Sequence, residues 1–204
     1  MIRPDIRCKV QGSSKEAPLT TGFTLVETFI VIGISVVALI ALVNLFLIFN
    51  SVYGYQQAFM AAAGSAGNAM NAFEAAVAPA DQVLASHSFS GTTYSSGAGT
   101  LVLELSSVDS SGNIVAGTED YVAFYTSSNK LYRLIEAGAG STRVSGQTQL
   151  STTLNSISFT YDNADFTKVR NVTADIVTQA QFKQQIVQGH LTEQIYLRNS
   201  QPLP

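Results

Sequence analysis

The sequence predicts an α+β protein: one long N-terminal helix, membrane-embedded in its first half, packed on an antiparallel β-sheet. Three observations carry that expectation. Between Phe29 and Phe49 no residue is charged, and only Ser35 and Asn44 are polar. From Phe59 to Val77 apolar residues recur at helical spacing, and from Leu101 onward the period falls to two.

The apolar run comes first. Its 21 residues would span about 31 Å as a helix at roughly 1.5 Å of rise each, the thickness of a hydrocarbon core. Glu27 stands at its head. A carboxylate costs about 2.5 kcal/mol or more at mid-bilayer and less near the interface, which makes Glu27 a functional candidate in search of a partner. The plainer alternative is a glutamate resting among headgroups at a helix end.

The helix should continue past the membrane edge. Phe59, Ala63, Ala66, Met70, Phe73 and Val77 fall on one face and predict packing against a sheet rather than a ligand site. Gly64 and Gly67 weaken this half by about 1 kcal/mol each relative to Ala, and Pro79 should end or kink it. Small residues here would also allow close helix approach.

The Ser/Gly/Thr-rich stretch from Ser86 to Ala98 reads as a loop. About six antiparallel strands follow. They begin at Leu101, Val102, Leu103 and Leu105, then run over Tyr121 to Thr126 and Leu131 to Ile135. Further strands carry Ile157, Phe159 and Tyr161, then Val172, Ala174 and Ile176, and the last holds Ile195 and Leu197. Ser127-Ser128-Asn129-Lys130 reads as a tight hairpin, and Ala137 to Ser141 as a loop.

Gly22-Phe23-Thr24-Leu25-Val26-Glu27, with the apolar run behind it, resembles the processing site of type IV prepilins. That family includes the type II secretion pseudopilins. The resemblance implies that a membrane prepilin peptidase/N-methyltransferase cuts between Gly22 and Phe23 and methylates the Phe23 amine. It also implies a pilin-like fold, with Glu27 as the fifth mature residue. In a helical filament, Glu27 of one subunit could pair with the Phe23 amine of a neighbour. Such a pair would set stagger more than it adds stability.

Implied partners are other pilin-like subunits, inner-membrane assembly machinery and membrane lipid. The implied place is a single-pass inner-membrane protein with a cytoplasmic N-terminus and an exported C-terminal domain, entering a periplasmic or cell-surface filament. Thr192 to Asn199 is similar to the last strand of J-type minor subunits, which favours a minor pilin or pseudopilin.

Residues 1–22 would be the leader and 23–50 the transmembrane and assembly half of the helix. Residues 51–85 would hold its amphipathic half, and 86–204 the exported sheet domain. Arg3, Arg7, Lys9 and Lys15 against Asp5 and Glu16 give the leader a net of +2, which favours a cytoplasmic N-terminus. The chain departs from the family's pattern in Thr21, where Lys or Arg is usual, and in a long leader. It also has Asn44 where relatives often carry a helix-breaking proline.

Cys8 is the only cysteine and falls in the leader with no apolar segment before it, which argues against a lipoprotein anchor. After processing no intramolecular disulfide could form. Four of the 11 Lys and Arg and two of the 14 Asp and Glu precede Phe23, leaving seven and 12, a net of −5. The remaining cations are scattered, so direct nucleic-acid binding has no support.

Other chemistry is thin. His87 and His190 lack ligand-spaced partners, so no metal site is expected. Asp162-Asn163-Ala164-Asp165 has oxygens suited to calcium but lacks the Gly and distal acid of the known loop, and a β-turn explains it better. Asn171-Val172-Thr173 matches a glycosylation acceptor. No nucleophile elbow or phosphate loop appears, so neither an enzyme nor a cofactor is expected. A pilin-like filament subunit leads, and a single-span anchored binding domain that never polymerises is the alternative.

Overall fold

The structure, a computed structural model, describes Gly22 and residues 24–199. Helix α1 (Leu25–Val77) comes first, followed by ten strands. In chain order these are β1 (Gln82–Val83), β2 (Ser86–Phe89), β3 (Thr92–Ser95), β4 (Thr100–Val108) and β5 (Ile114–Ser127). Then come β6 (Lys130–Glu136), β7 (Gly146–Ser151), β8 (Leu154–Tyr161), β9 (Asn171–Phe182) and β10 (Gln185–Tyr196). The fold class is α+β, one long helix with antiparallel sheets, as the sequence implies.

The chain forms two compact units, one up to Ile48 and one from Phe49 onward. Among described residues the first is the apolar stretch of α1, and every residue in it is exposed. No break occurs at Asn44, which lies inside the continuous helix.

In the second unit α1 ends at Val77, and Ala80 N–H closes on the Val77 carbonyl. Pro79 lies two residues beyond the end, where it cannot continue the ladder. The helix thus ends just before Pro79, as the sequence leads one to expect, and residues 78–85 make a turn and then β1.

The strands form three sheets rather than one. A five-stranded sheet runs β1-β4-β5-β6-β7, a three-stranded sheet β10-β9-β8, and β2 pairs β3. The last pair corrects the loop expected from Ser86 to Ala98. Ser90 and Gly91 take positive φ (46° and 90°), as a two-residue hairpin turn requires, and the Ser/Thr composition hides the inward Phe89. Strand β7 is a further addition to the expected set, because its sequence is mostly polar and it lies on a sheet edge. The hairpin expected at Ser127–Lys130 is present, with Ser128 and Asn129 at φ 50° and 57°.

Both faces of the five-stranded sheet are covered. Leu101, Leu103 and Leu105 of β4 join the main core with Val122 and Phe124 of β5. Val102 and Ala123 point the other way, into a second cluster closed by Phe89 of the hairpin. Leu154, Phe159, Val172, Ala174 and Ile176 bring the three-stranded sheet into the main core. The helix supplies Ala62, Ala66, Ala69, Met70, Phe73, Ala76 and Val77. Phe73 lies where the sheets meet, its ring centroid 5.7 Å from Phe124 and 5.5 Å from Phe159. Burial of such a side chain is worth about 1.5–3 kcal/mol.

Phe59, expected on this face, is 49% exposed. Toward the start of the unit the packed face runs instead through small residues, because the β9–β10 ribbon lies close to the helix. A Cβ at Gly189 would come 2.8 Å from the Ala62 carbonyl carbon, and Thr178 Oγ1 donates to the Ala62 carbonyl oxygen at 2.6 Å. A bulky stripe would prevent that approach.

Candidate functional site at the head of the apolar helix

Thr24 and Glu27 close the N-terminus of α1 on each other. The Glu27 N–H donates to Thr24 Oγ1 at 3.3 Å, and the Thr24 N–H donates to Glu27 Oε2 at 3.4 Å. This is a capping box, a Thr and a Glu three residues apart satisfying two amides that the helix cannot. Thr28 Oγ1 also donates to the Thr24 carbonyl at 3.2 Å. The carboxylate further lies where the helix dipole favours an anion. The sequence reading weighs lipid, headgroups and a neighbour's Phe23 amine around Glu27 and misses the cap, although the Thr-x-x-Glu spacing before an apolar run already signals it.

The cap leaves capacity over. A carboxylate offers about four acceptor sites, and Thr24 uses one oxygen of Glu27. Among the described residues no donor is bonded to Oε1.

Behind Glu27 the helix is long and apolar enough to cross a membrane. Large side chains from Leu25 to Phe49 are all at least half exposed, Phe29 at 66% and Phe49 at 68%. Among the described residues of this unit nothing covers those up to Ile48. So long an uncovered apolar surface demands lipid or other helices.

Of the expected site residues, Gly22 is exposed, and a Cβ placed on its backbone would meet nothing within 4 Å. Phe23, Cys8 and the leader cations lie outside the described residues. Glu27 is placed, as above, in contact with Thr24.

The remaining candidates have local partners. His87 stacks on Tyr121 at 3.7 Å and lies 3.6 Å from Glu136, while His190 bonds Asp175. In the Asp162–Asp165 turn the oxygens serve the chain itself. Asp162 accepts from the Arg170 amide and Asn171 Nδ2, Asn163 from the Asp165 amide, and Asp165 from Thr167. Asn171 is further held by Gln194 Nε2 at 2.8 Å. Among the described residues no three His, Cys, Asp or Glu side chains converge as metal ligands would.

One buried charge escapes the sequence reading. Asp120 is fully buried and accepts from Ser107 Oγ, the Gly138 N–H, Ser141 Oγ and Arg143 Nη1. Burial pushes its carboxyl up, but Arg143, Gly138, Ser141 and Ser107 outweigh burial and hold it below the usual range. The node pins the 137–145 loop to β4 and β5, and a Cβ at Gly138 would meet Ser107 Oγ at 2.6 Å. Alternation could have found it, since Asp120 shares a face with Val122 and Phe124. Its neighbour Glu119 is pushed up by burial and by Asp81, Glu104 and Asp120.

Compared with known proteins, the chain matches no family model and no curated sequence.

Proposed function

We propose that this protein is a pilin-like structural subunit, inserted in the inner membrane and assembled through its apolar helix into an extracytoplasmic filament of the type IV pilus or type II secretion kind. The observation that carries the reading is an acid seated at the head of an uncovered apolar helix, directly behind Gly22-Phe23. The subunit is read as minor, from its size and its last strand, and as a structural part rather than a catalyst.

In this reading a prepilin peptidase removes residues 1–22 and methylates Phe23, leaving a cation in an apolar setting. Glu27 of a neighbouring subunit neutralises it. Its Oε1 takes the amine while Oε2 keeps the cap, so helix order and subunit register draw on one side chain. A wrong stagger leaves both charges unpaired in a medium that penalises them. The uncovered side chains of Phe29 to Phe49 supply the bulk of cohesion between subunits.

The test is intact mass and N-terminal sequencing of the protein from membranes, with and without a prepilin peptidase. A chain beginning at methylated Phe23 only when the peptidase is present supports the proposal. An uncut chain overturns it in favour of the anchored binding domain.

A further inference from the structure

At the tip of the β9–β10 ribbon, Phe182 pairs with Gln185 across a two-residue loop of Lys183 and Gln184. Lys183 takes φ +54°, a left-handed backbone that Gly adopts freely and other L-residues adopt at a cost. The ammonium reaches Ser51 Oγ at 3.3 Å and lies 5.2 Å from the Phe182 ring centroid. Among the described residues no carboxylate pairs with it.

The tip packs on α1 at a particular level. Ser51 stands two residues after Phe49, the last of the apolar run, and the Phe182 ring lies over Gly54. A cleft of about 650 Å³ opens there, lined by Ser51, Phe182, Lys183, Gln184 and Gln185. Its lining offers one cation, one hydroxyl and two side-chain amides. Tyr53 and Tyr55, exposed on the next turn, are the residue type that populates membrane interfaces.

We infer that this cleft binds the phosphate of an anionic phospholipid headgroup, with Lys183 as its cation and Phe182 seated at the acyl boundary. The inference rests on the membrane-spanning reading of the apolar run. A span ending at Phe49 puts Ser51 and the cleft among headgroups, where a lysine is attracted to acidic lipid and its apolar stem can lie against acyl chains. Lys183, held beside Ser51 and the Phe182 ring, is the one cation the tip offers at that level of the helix.

The full chain with Cys8→Ser and Gln184→Cys, carrying an environment-sensitive fluorophore, is reconstituted into phosphatidylcholine vesicles with and without phosphatidylglycerol. Quenching by headgroup-spin-labelled phosphatidylglycerol is compared with quenching by the same label on phosphatidylcholine. The expected result is preferential quenching by the anionic lipid, with Lys183→Gln lowering that preference by about fivefold and Lys183→Arg retaining it. A second label at Leu39→Cys reports the span through acyl-chain quenchers. Quenching at Leu39 with none at Gln184, or equal quenching by both lipids, overturns the headgroup site and leaves the span standing. Loss of quenching at both positions overturns the span and the site with it. An equal response of the Gln184 label to inorganic phosphate in detergent would assign the cleft to a soluble anion and overturn the lipid assignment.

Discussion

Thr24 and Glu27 exchange two backbone-to-side-chain hydrogen bonds across the first turn of α1, at 3.3 and 3.4 Å. A glutamate at the head of an apolar helix thus has a local task before any partner arrives. The local task and the proposed task between subunits differ in what they require. The cap needs only an acceptor, whereas pairing with an amine needs the charge.

That difference gives a pair of variants with opposite expectations. Glu27→Gln keeps an acceptor and should retain helix onset, while Glu27→Ala should lose about 1 kcal/mol of local helix stability. Both should insert in the membrane and fail to enter filaments, as read by membrane fractionation and by filament shearing. Normal assembly of the Gln variant would leave the cap as the whole explanation of Glu27.

The close approach of β10 to α1 predicts an asymmetry between two glycines. Gly189→Ala drives a Cβ to 2.8 Å from helix backbone atoms that cannot give way, whereas Gly54→Ala meets only the movable Phe182 ring. The first should cost about 1–3 kcal/mol and the second clearly less. Thermal unfolding in detergent should show a shift of about 2–4 °C per kcal/mol for a domain of this size.

Asp120 and Glu119 should oppose each other in acid. The folded pKa of Asp120 is held below its ordinary 3.8, so its contribution is complete above that value and is lost as pH falls through the folded pKa. Glu119 is raised from 4.5, so its contribution is complete below that value and is lost as pH rises through the folded pKa. Denaturant midpoints measured against pH should therefore flatten below about pH 4 in Asp120→Asn. Glu119→Gln should instead gain stability at neutral pH. A steeper acid limb in Asp120→Asn would contradict the assignment.

Removing the cation of the same node should be severe. Arg143→Ala leaves a fully buried carboxylate with two hydroxyls and an amide, at a cost of about 3 kcal/mol. Phe73→Ala, which empties the junction of the two larger sheets, should cost about 3–5 kcal/mol. Urea unfolding orders these two against wild type, and a change under 1 kcal/mol in either would show that the site collapses or rehydrates freely.

The helix and most central strands are legible because hydrophobic period reports them directly, and Val77, Leu103, Phe124 and Ile176 all face the main core. Legibility fails where composition and burial part company. Phe89 is buried inside a Ser/Thr hairpin, and β7 is a polar edge whose pairing is decided by the backbone of β6. The first half of β10 is hidden for a related reason, since Gly189 packs by being small. At the candidate site, Glu27 stands out through its surroundings, but its bond to Thr24 depends on local geometry that residue polarity does not convey. Alternation along β5 marks Asp120 as inward, but its partners come from β4 and from a loop well downstream, which alternation does not convey.

The β2–β3 hairpin divides its residues by direction. Phe89 and Tyr94 turn toward the sheet, whereas Ser86, Ser88, Thr93 and Ser95 are exposed. With His87 stacked on Tyr121, three inward rings hold the ribbon in place, so the four outward positions are free of any packing duty. Their identities can drift, acquire charge or gain an aromatic without disturbing the layers beneath. The protein thereby carries a rewritable outer skin, able to change what it presents to the surroundings while its helix and sheets stay the same.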